Sequence, residues 1–165
     1  MGVAGCGKST LARLVAQALS LPFIEGDQFH PPENIRKMTE GIALEDADRQ
    51  GWLARLGAEL QNHSHGAVLS CSALKLAYRE RLRAAAPGLR FIHLDVALDL
   101  ANQRVAARSA QHLFPTSLVA SQFAALEDPG GEARVLQLDA ALPPEQLTAA
   151  SLAWIQAVNR PTSSS

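Results

Sequence analysis

The stretch GVAGCGKST, residues 2–10, decides the fold class. Gly2, Gly7, Lys8 and Ser9 fit the pattern G-x-x-x-x-G-K-[ST], in which the backbone N–H groups of a glycine-rich turn surround phosphate oxygens. Apolar side chains at helical spacing follow in KSTLARLVAQALS, so the positive end of a helix is aimed at the same phosphates. In this motif the lysine reaches the β- and γ-phosphates and the hydroxyl binds Mg²⁺. Lys8 and Ser9 are therefore the predicted nucleotide and metal contacts.

The composition narrows the class of protein. With 47% hydrophobic and 19% charged residues in 165, the chain is typical of one folded domain. Fifteen Lys and Arg against sixteen Asp and Glu argue against general affinity for nucleic acids or anionic membranes. No apolar run approaches the ~18 residues that a membrane helix needs. Cys6 and Cys71 form neither a disulfide framework nor a metal-binding cluster, so a reduced, cytoplasmic setting is expected.

Short apolar runs alternate with helical spacing along the chain. Four runs predict strands: LPFIEGD (21–27), GAVLSCSA (66–73), LRFIHLDV (89–96) and ARVLQLDA (133–140). The amphipathic stretches between them predict helices. Alternating strands and helices predict an α/β fold with three layers, in which helices cover both faces of a parallel sheet.

The motif has no strand in front of it. A buried strand normally leads into the glycine turn, but Gly2 follows directly on Met1. We expect the first, central strand to be missing before residue 1, and the native start to lie upstream. Each large buried apolar side chain contributes roughly 1.5–3 kcal/mol, so the loss of such a strand is expected to be close to fatal for a domain of ordinary stability.

Two polar residues follow the first predicted strand in EGDQFHPPENIRKM. Asp27 lies at a carboxyl end, where ligands collect in open α/β sheets. Its carboxylate is suited to accept the proton of an attacking hydroxyl or to hold a magnesium-bound water, and His30 is suited to donate to a polyol or carboxylate. The alternatives are that Asp27 caps the next turn and that His30 is an ordinary loop residue.

The order and spacing of several phrases resemble the gluconokinase family of P-loop small-molecule kinases. These phrases are GVAGCGKS, GDQFHPPENIRKM, LEDADRQGWL, CSALKLAYRERLR and SQFAALEDP, and together they extend the resemblance from Gly2 to about residue 158. The resemblance implies a P-loop NTPase fold like that of shikimate kinase. It also implies ATP-dependent phosphorylation of D-gluconate to 6-phosphogluconate in a cytoplasmic homodimer, and the phosphate-loop motif adds Mg²⁺. From chain length and polar composition, residues 1–160 are expected to form one domain and residues 161–165 a disordered tail.

The resemblance also implies roles for individual residues. Asp27 and His30 match the substrate-side acid and histidine of the family, and Arg49, Lys75, Tyr78 and Arg79 match its polar wall around the sugar acid. An anionic acceptor that faces an anionic nucleotide needs such cations. The predicted ATP-binding residues are Gly2, Val3, Ala4, Gly5, Cys6, Gly7, Lys8, Ser9 and Thr10.

The family's mobile lid corresponds to about residues 104–118. Arg108 is the predicted catalytic arginine, which neutralises charge on the transferring phosphoryl group; a surface role is its alternative. The family text R-x-G-H-F-x-P differs from this chain, which reads RSAQHLFP at 108–115 with one extra residue and no glycine. Trp52 has helical hydrophobic neighbours and is expected in the core or at a dimer contact.

Two other functions stay open at this point. One is a kinase for another small hydroxylated acid, which residues between His30 and Lys75 would discriminate. The other is a nucleotide-binding module without catalysis, which would bind ATP but show no acceptor-dependent turnover.

Overall fold

The computed structural model describes residues 1–108 and 117–159, in which strands and helices alternate as the sequence predicts. The strands are β1 (Phe23–Glu25), β2 (Val68–Ser70), β3 (Phe91–Asp95) and β4 (Val135–Asp139). The helices are α1 (Lys8–Leu19), α2 (Pro32–Thr39), α3 (Asp46–Gln61), α4 (Leu76–Ala85), α5 (Leu98–Arg108), α6 (Ser117–Ala125) and α7 (Pro144–Asn159). A 3₁₀ turn, Gly26–Phe29, follows β1. All four predicted strands and their parallel direction are confirmed.

Helix α2 is an element that the hydrophobic pattern does not predict. It has only eight residues, and Asn34 is the one that is buried. Other signals of a helix are present, because a proline lies in the first turn and Arg36 and Lys37 lie in the last turn. This helix closes one side of the region that follows β1.

The sheet is divided into two parallel pairs. Strand β1 pairs with β2, and β3 pairs with β4. Between the pairs, the Met1 ammonium donates to the Ile92 carbonyl at 2.5 Å, and the Leu94 N–H donates to the Met1 carbonyl at 3.0 Å. On the other side, the Gly2 N–H donates to the Ser72 carbonyl at 3.2 Å. Met1 and Gly2 thus join the two pairs, at the position where the sequence predicts the end of a central strand.

A cleft of about 640 Å³ continues from Met1 between β2 and β3, and we call it the central cleft. Its lining includes Leu11 and Val15 of α1, Leu69 of β2, Ile92 of β3 and Ile155 of α7. Burial lowers the pKa of the Met1 ammonium, which faces this apolar lining. Two apolar clusters border the cleft, one around Trp52 and one around α1. Each includes side chains of β2, β3 and β4, so the clusters cover the two faces of the sheet.

We expect a strand placed in the central cleft to stabilise the fold. Fusing about five apolar, β-branched residues ahead of Met1 should raise the free energy of unfolding by about 3 kcal/mol or more, since each buried large side chain contributes roughly 1.5–3 kcal/mol. The midpoint of thermal unfolding should rise by about 6–12 °C, measured by calorimetry. A Gly/Ser extension of the same length is the control. Equal midpoints for the two extensions would show that the cleft does not accept a strand.

Most of the packing lies around these two clusters. Trp52, Leu56, Leu74 and Leu82 are fully buried, which confirms the core position expected for Trp52. No helix within residues 1–108 and 117–159 is long and apolar enough to cross a membrane.

Candidate active site

The glycine-rich loop forms a turn that leads into α1. Gly5 has a φ of 81°, and a Cβ there would lie 2.5 Å from the Ala101 carbonyl oxygen, so only glycine fits this close approach to α5. Gly7, with a φ of 92°, is the N-cap of α1 and has open space around its Cα. The first N–H groups of α1 are thus available to an anion, as a phosphate-binding loop requires.

The residues of the loop divide by burial. The side chains of Val3 and Cys6 are buried in the core beneath the turn. Ala4, Gly5, Lys8, Ser9 and Thr10 instead line a cavity of about 720 Å³, which we call the site cavity. The buried side chains hold the turn in place, and the residues above them face the space for a ligand.

Lys8 is the cation of the loop. Burial opposes its charge, but the acidic groups of Cys6, Asp27 and Glu25 outweigh that effect and raise its pKa. Lys8 therefore stays protonated at neutral pH. A fixed positive charge at the first turn of α1 suits the terminal phosphates of a nucleotide.

The donor set around Ser9 fits an ion that arrives with a nucleotide. The Ser9 hydroxyl lies 3.2 Å from the hydroxyl of Ser70, at the end of β2. In the described ranges, no three His, Cys, Asp or Glu side chains converge to hold a metal. Mg²⁺ commonly keeps several waters and takes one or two protein ligands plus phosphate oxygens, so a single hydroxyl is a sufficient protein contribution.

Three residues predicted for the acceptor side lie in the same cavity as Lys8. Asp27 is in the 3₁₀ turn after β1, His30 ends that turn, and Arg49 is in the first turn of α3. Asp27 is exposed to the cavity, whereas His30 and Arg49 are largely buried in its wall. The structure thus brings a carboxylate, an imidazole and a guanidinium to face the phosphate loop.

His30 is held by two neighbours. Its ring stacks on the Trp52 indole with a centroid distance of 4.4 Å and an interplanar angle of 10°. The Asn34 amide donates to the Asp48 carbonyl at 2.9 Å and also lies 3.3 Å from His30 Nδ1. Because that amide nitrogen is only a donor, Nδ1 is the acceptor and the proton of the neutral ring is on Nε2.

Burial lowers the pKa of His30 to about 4, with Arg49 acting in the same direction and Asp27 opposing. The imidazole is therefore neutral at physiological pH. Trp52 is itself fixed, because its indole N–H donates to the Gly26 carbonyl at 2.8 Å. His30 is a preorganised neutral donor in the wall of the site cavity.

We expect His30 to make stability depend on pH. Since its pKa falls from 6.5 to about 4 on folding, the unfolded chain binds a proton between these values that the folded chain does not. The stability that neutral His30 contributes is complete above pH 6.5, the pKa in the unfolded chain. It is lost as the pH falls toward about 4, the pKa in the folded chain. Urea unfolding of His30→Gln should show a shallower loss of stability between about pH 7 and pH 5 than the unsubstituted protein. Parallel pH curves would contradict this assignment.

Arg49 is a buried cation whose guanidinium has no hydrogen bond to a carboxylate within the described part of the chain. It lies 5.8 Å from the centre of the Tyr78 ring. Its helix is fixed by a capping box between Glu45 and Asp48, and Asp48 also binds Lys37 of α2 at 2.7 Å. The first turn of α3 is thus fixed, and the charge of Arg49 is available to an anion in the site cavity.

Comparison with known proteins identifies relatives over most of the chain. The family model described as Shikimate kinase matches residues 4–124. The gluconokinase of Gluconobacter oxydans is 44% identical over 141 residues, which are 84% of this chain and 79% of that protein. The thermoresistant gluconokinase of Escherichia coli is 39% identical over 160 residues, which are 94% of this chain and 91% of that protein.

A solved structure is similar over almost the whole chain. The crystal structure of a gluconokinase from Sinorhizobium meliloti has a TM-score of 0.87 and 46% identity, and the match covers 96% of this chain and 90% of that one. This chain belongs to the gluconokinase family. The P-loop kinase fold expected from the sequence is confirmed.

Two residues of the predicted gluconokinase polar wall lie beside the site cavity, not in its lining. Lys75 Nζ binds both carboxylate oxygens of Asp46, at 2.6 and 2.9 Å, and the Tyr78 hydroxyl donates to the same carboxylate. Hydrogen bonds from Lys75 and Tyr78 hold the pKa of Asp46 below its usual value. This cluster joins the start of α4 to the start of α3, next to Arg49.

Arg79 lies in the interior, and a contact with a sugar acid is excluded by its own hydrogen bonds. Its side chain is fully buried, and its five N–H groups are all used. They donate to the carbonyls of Ala73, Leu74 and Glu127 and to the carboxylate of Glu132. The prediction of Arg79 as a substrate contact is therefore corrected to a structural role, which the sequence could not separate from that of its neighbours.

The predicted lid is described only at its two ends. Residues 104–108 continue α5, in which Arg104 donates to the Ala140 carbonyl at 2.9 Å and to the Gly5 carbonyl at 3.5 Å. The side chain of Arg108 and residues 109–116 lie outside the described residues, as do residues 160–165, which include the predicted tail. Gln122 of α6 lines the site cavity, although its position within SQFAALEDP gives no local signal of such a contact.

Proposed function

We propose that the protein transfers the γ-phosphoryl group of ATP to the terminal hydroxyl of D-gluconate and forms 6-phosphogluconate. The observation that carries this proposal is the cavity in which Arg49 and Asp27 face Lys8 and the phosphate loop. Gluconate has an anionic end and a primary hydroxyl at the other end. Arg49 supplies a cation for the anionic end, and Asp27 supplies a base for the hydroxyl end. Both lie opposite the nucleotide site, so the cavity matches gluconate.

The residues divide the chemistry between them. The loop amides and Lys8 hold the phosphates and stabilise the charge that develops on the transferring group. Asp27 accepts the proton of the acceptor hydroxyl while the hydroxyl oxygen attacks the γ-phosphorus in line. The bond between the γ-phosphorus and the bridging oxygen breaks, and its electron pair stays on ADP. Arg49 binds the carboxylate, and the neutral Nε2–H of His30 donates to an acceptor oxygen. No covalent enzyme intermediate is needed.

Mg²⁺ supplies neutralisation of phosphate charge when it is bound, and Ser9 is the residue of the loop that would hold it. Arg108 is proposed as the arginine that contacts the transferring phosphoryl group. Lys75 and Tyr78 are proposed to orient the acceptor wall through Asp46, since their polar groups already meet there.

A second candidate is phosphorylation of another small hydroxylated acid, which the match to the Shikimate kinase family model favours. The test is ADP release with Mg-ATP in the presence of D-gluconate, shikimate or no acceptor. We expect release that depends on gluconate. Release that depends on shikimate alone would favour the second candidate, and ATP binding without release with either acid would favour a non-catalytic module.

Arg49→Met should raise the KM for gluconate about 10- to 100-fold, because one charge-assisted hydrogen-bond partner of the acceptor is lost. The KM for ATP should change little. Arg36→Met, an exposed arginine of α2 outside the cavity lining, is the matched control. A KM for gluconate that responds equally to both substitutions would remove Arg49 from the acceptor site.

A homodimer is also proposed, on the basis of the family resemblance. A cytoplasmic location is proposed on the same basis and because Cys6 and Cys71 are free thiols. Light scattering on the purified protein tests the oligomeric state: a mass of twice the 17.6 kDa chain supports a dimer, and a monomeric mass excludes one.

A further inference from the structure

Gln122 makes a direct contact with the phosphate loop. The Ala4 N–H donates to Gln122 Oε1 at 2.7 Å, across 118 positions of sequence. Ala4 lies in the middle of the loop, and Gln122 is on α6, the helix that follows residues 109–116. This hydrogen bond therefore connects the turn around the phosphates with the helix that comes directly after the predicted lid.

The Nε2 donors of the Gln122 carboxamide are available to a ligand in the site cavity. A carboxamide has one acceptor oxygen and two N–H donors, and the oxygen is used by Ala4. Nε2 has no hydrogen-bond partner among residues 1–108 and 117–159, and Gln122 lines the site cavity with Lys8 and Asp27. The bond to Ala4 fixes the orientation of the amide plane, so the two donors are presented beside the loop in a fixed direction.

We propose that Gln122 is a further catalytic residue, whose Nε2–H donates to an oxygen of the γ-phosphoryl group while Oε1 holds the Ala4 amide. This inference rests on the proposed function for its kinase chemistry, but its contact is with the nucleotide alone. A preorganised neutral donor at the transferring group stabilises the charge that builds up there and needs no reorganisation.

Gln122→Glu separates this role from a purely structural one. The substituted carboxylate keeps an oxygen to accept from Ala4 N–H, and a charged acceptor makes that bond stronger. It replaces the two donors with an anionic oxygen that repels phosphate. We therefore expect the thermal midpoint to be kept and the affinity for Mg-ATP to fall by about tenfold or more, with little change for Mg-ADP, which has no γ-phosphoryl group.

The experiment is isothermal titration calorimetry with Mg-ATP and Mg-ADP on the unsubstituted protein, Gln122→Glu and Gln146→Glu. Gln146 is exposed on α7 and outside the cavity lining, so its substitution adds the same charge away from the site. Equal changes for ATP and ADP, or no change, would overturn the role of Gln122. Because these titrations contain no acceptor, they are independent of the gluconate assay, and failure of one is distinguishable from failure of the other.

Discussion

Asp27→Asn should lower kcat for gluconate phosphorylation by about 10²- to 10⁴-fold, the usual contribution of a positioned general base. Asparagine keeps the size of the side chain and cannot accept the proton. Asp27 is exposed to the site cavity in a turn that begins directly after β1, so the substitution leaves the core unchanged. The affinity for ATP should change far less than kcat.

Steady-state kinetics with both substrates varied, together with ATP titration, measure this effect. Asp99→Asn is the matched control, because Asp99 is exposed in the first turn of α5 and is not part of the cavity lining. Equal losses in turnover and in ATP affinity would refute the assignment of Asp27 as the base and indicate a role in holding the nucleotide.

Arg79→Met should lower the free energy of unfolding by about 3 kcal/mol, since each buried acceptor that loses its donor costs roughly 1 kcal/mol or more, although Glu132 keeps its ion pair with Arg83 at 2.8 Å. Arg79 Nη2 lies 2.5 Å from a carboxylate oxygen of Glu132, and three carbonyls lose a donor with it. Such a loss is a large part of the net stability of a domain, which is about 5–15 kcal/mol.

Arg81→Met is the control for that substitution. Arg81 is on the same helix and is exposed, so it should change the free energy of unfolding by less than about 0.5 kcal/mol. Urea unfolding of the two variants measures the difference. If both variants have the same midpoint, the hydrogen bonds of Arg79 contribute nothing net, and its burial has to be explained by packing alone.

Arg79 and Arg81 could not be separated into a buried and an exposed arginine from the sequence. Both lie in YRERLR, and nothing local distinguishes them. The buried position of Arg79 depends on its hydrogen bonds to Glu132, 53 positions further along the chain, and to carbonyls that only the folded chain brings together. The strands and the phosphate loop were predictable because their signals are local: short apolar runs for the former and fixed glycine spacing for the latter.

The acceptor side was predictable in part, for the same reason. Asp27 and His30 follow a strand, and the ends of parallel strands converge, so their shared location follows from topology. The stacking of His30 on Trp52 and the bond between Gln122 and Ala4 depend on contacts across long sequence separations. The sequence around Lys75 and around Asp46 likewise did not predict their ion pair, since many lysines near strand ends are solvated.

The division of the sheet at the central cleft has a consequence for cooperativity. Asp27 follows one pair of strands, whereas Leu94, whose N–H donates to Met1, belongs to the other. Where few backbone hydrogen bonds connect two parts of a sheet, that connection can open locally, at a lower free energy than global unfolding. The amide of Leu94 should then exchange with solvent sooner than amides in the centre of α3. Helix α1 packs on β1, β2 and α7, so the phosphate loop and Asp27 stay on one packed unit when the connection to β3 opens.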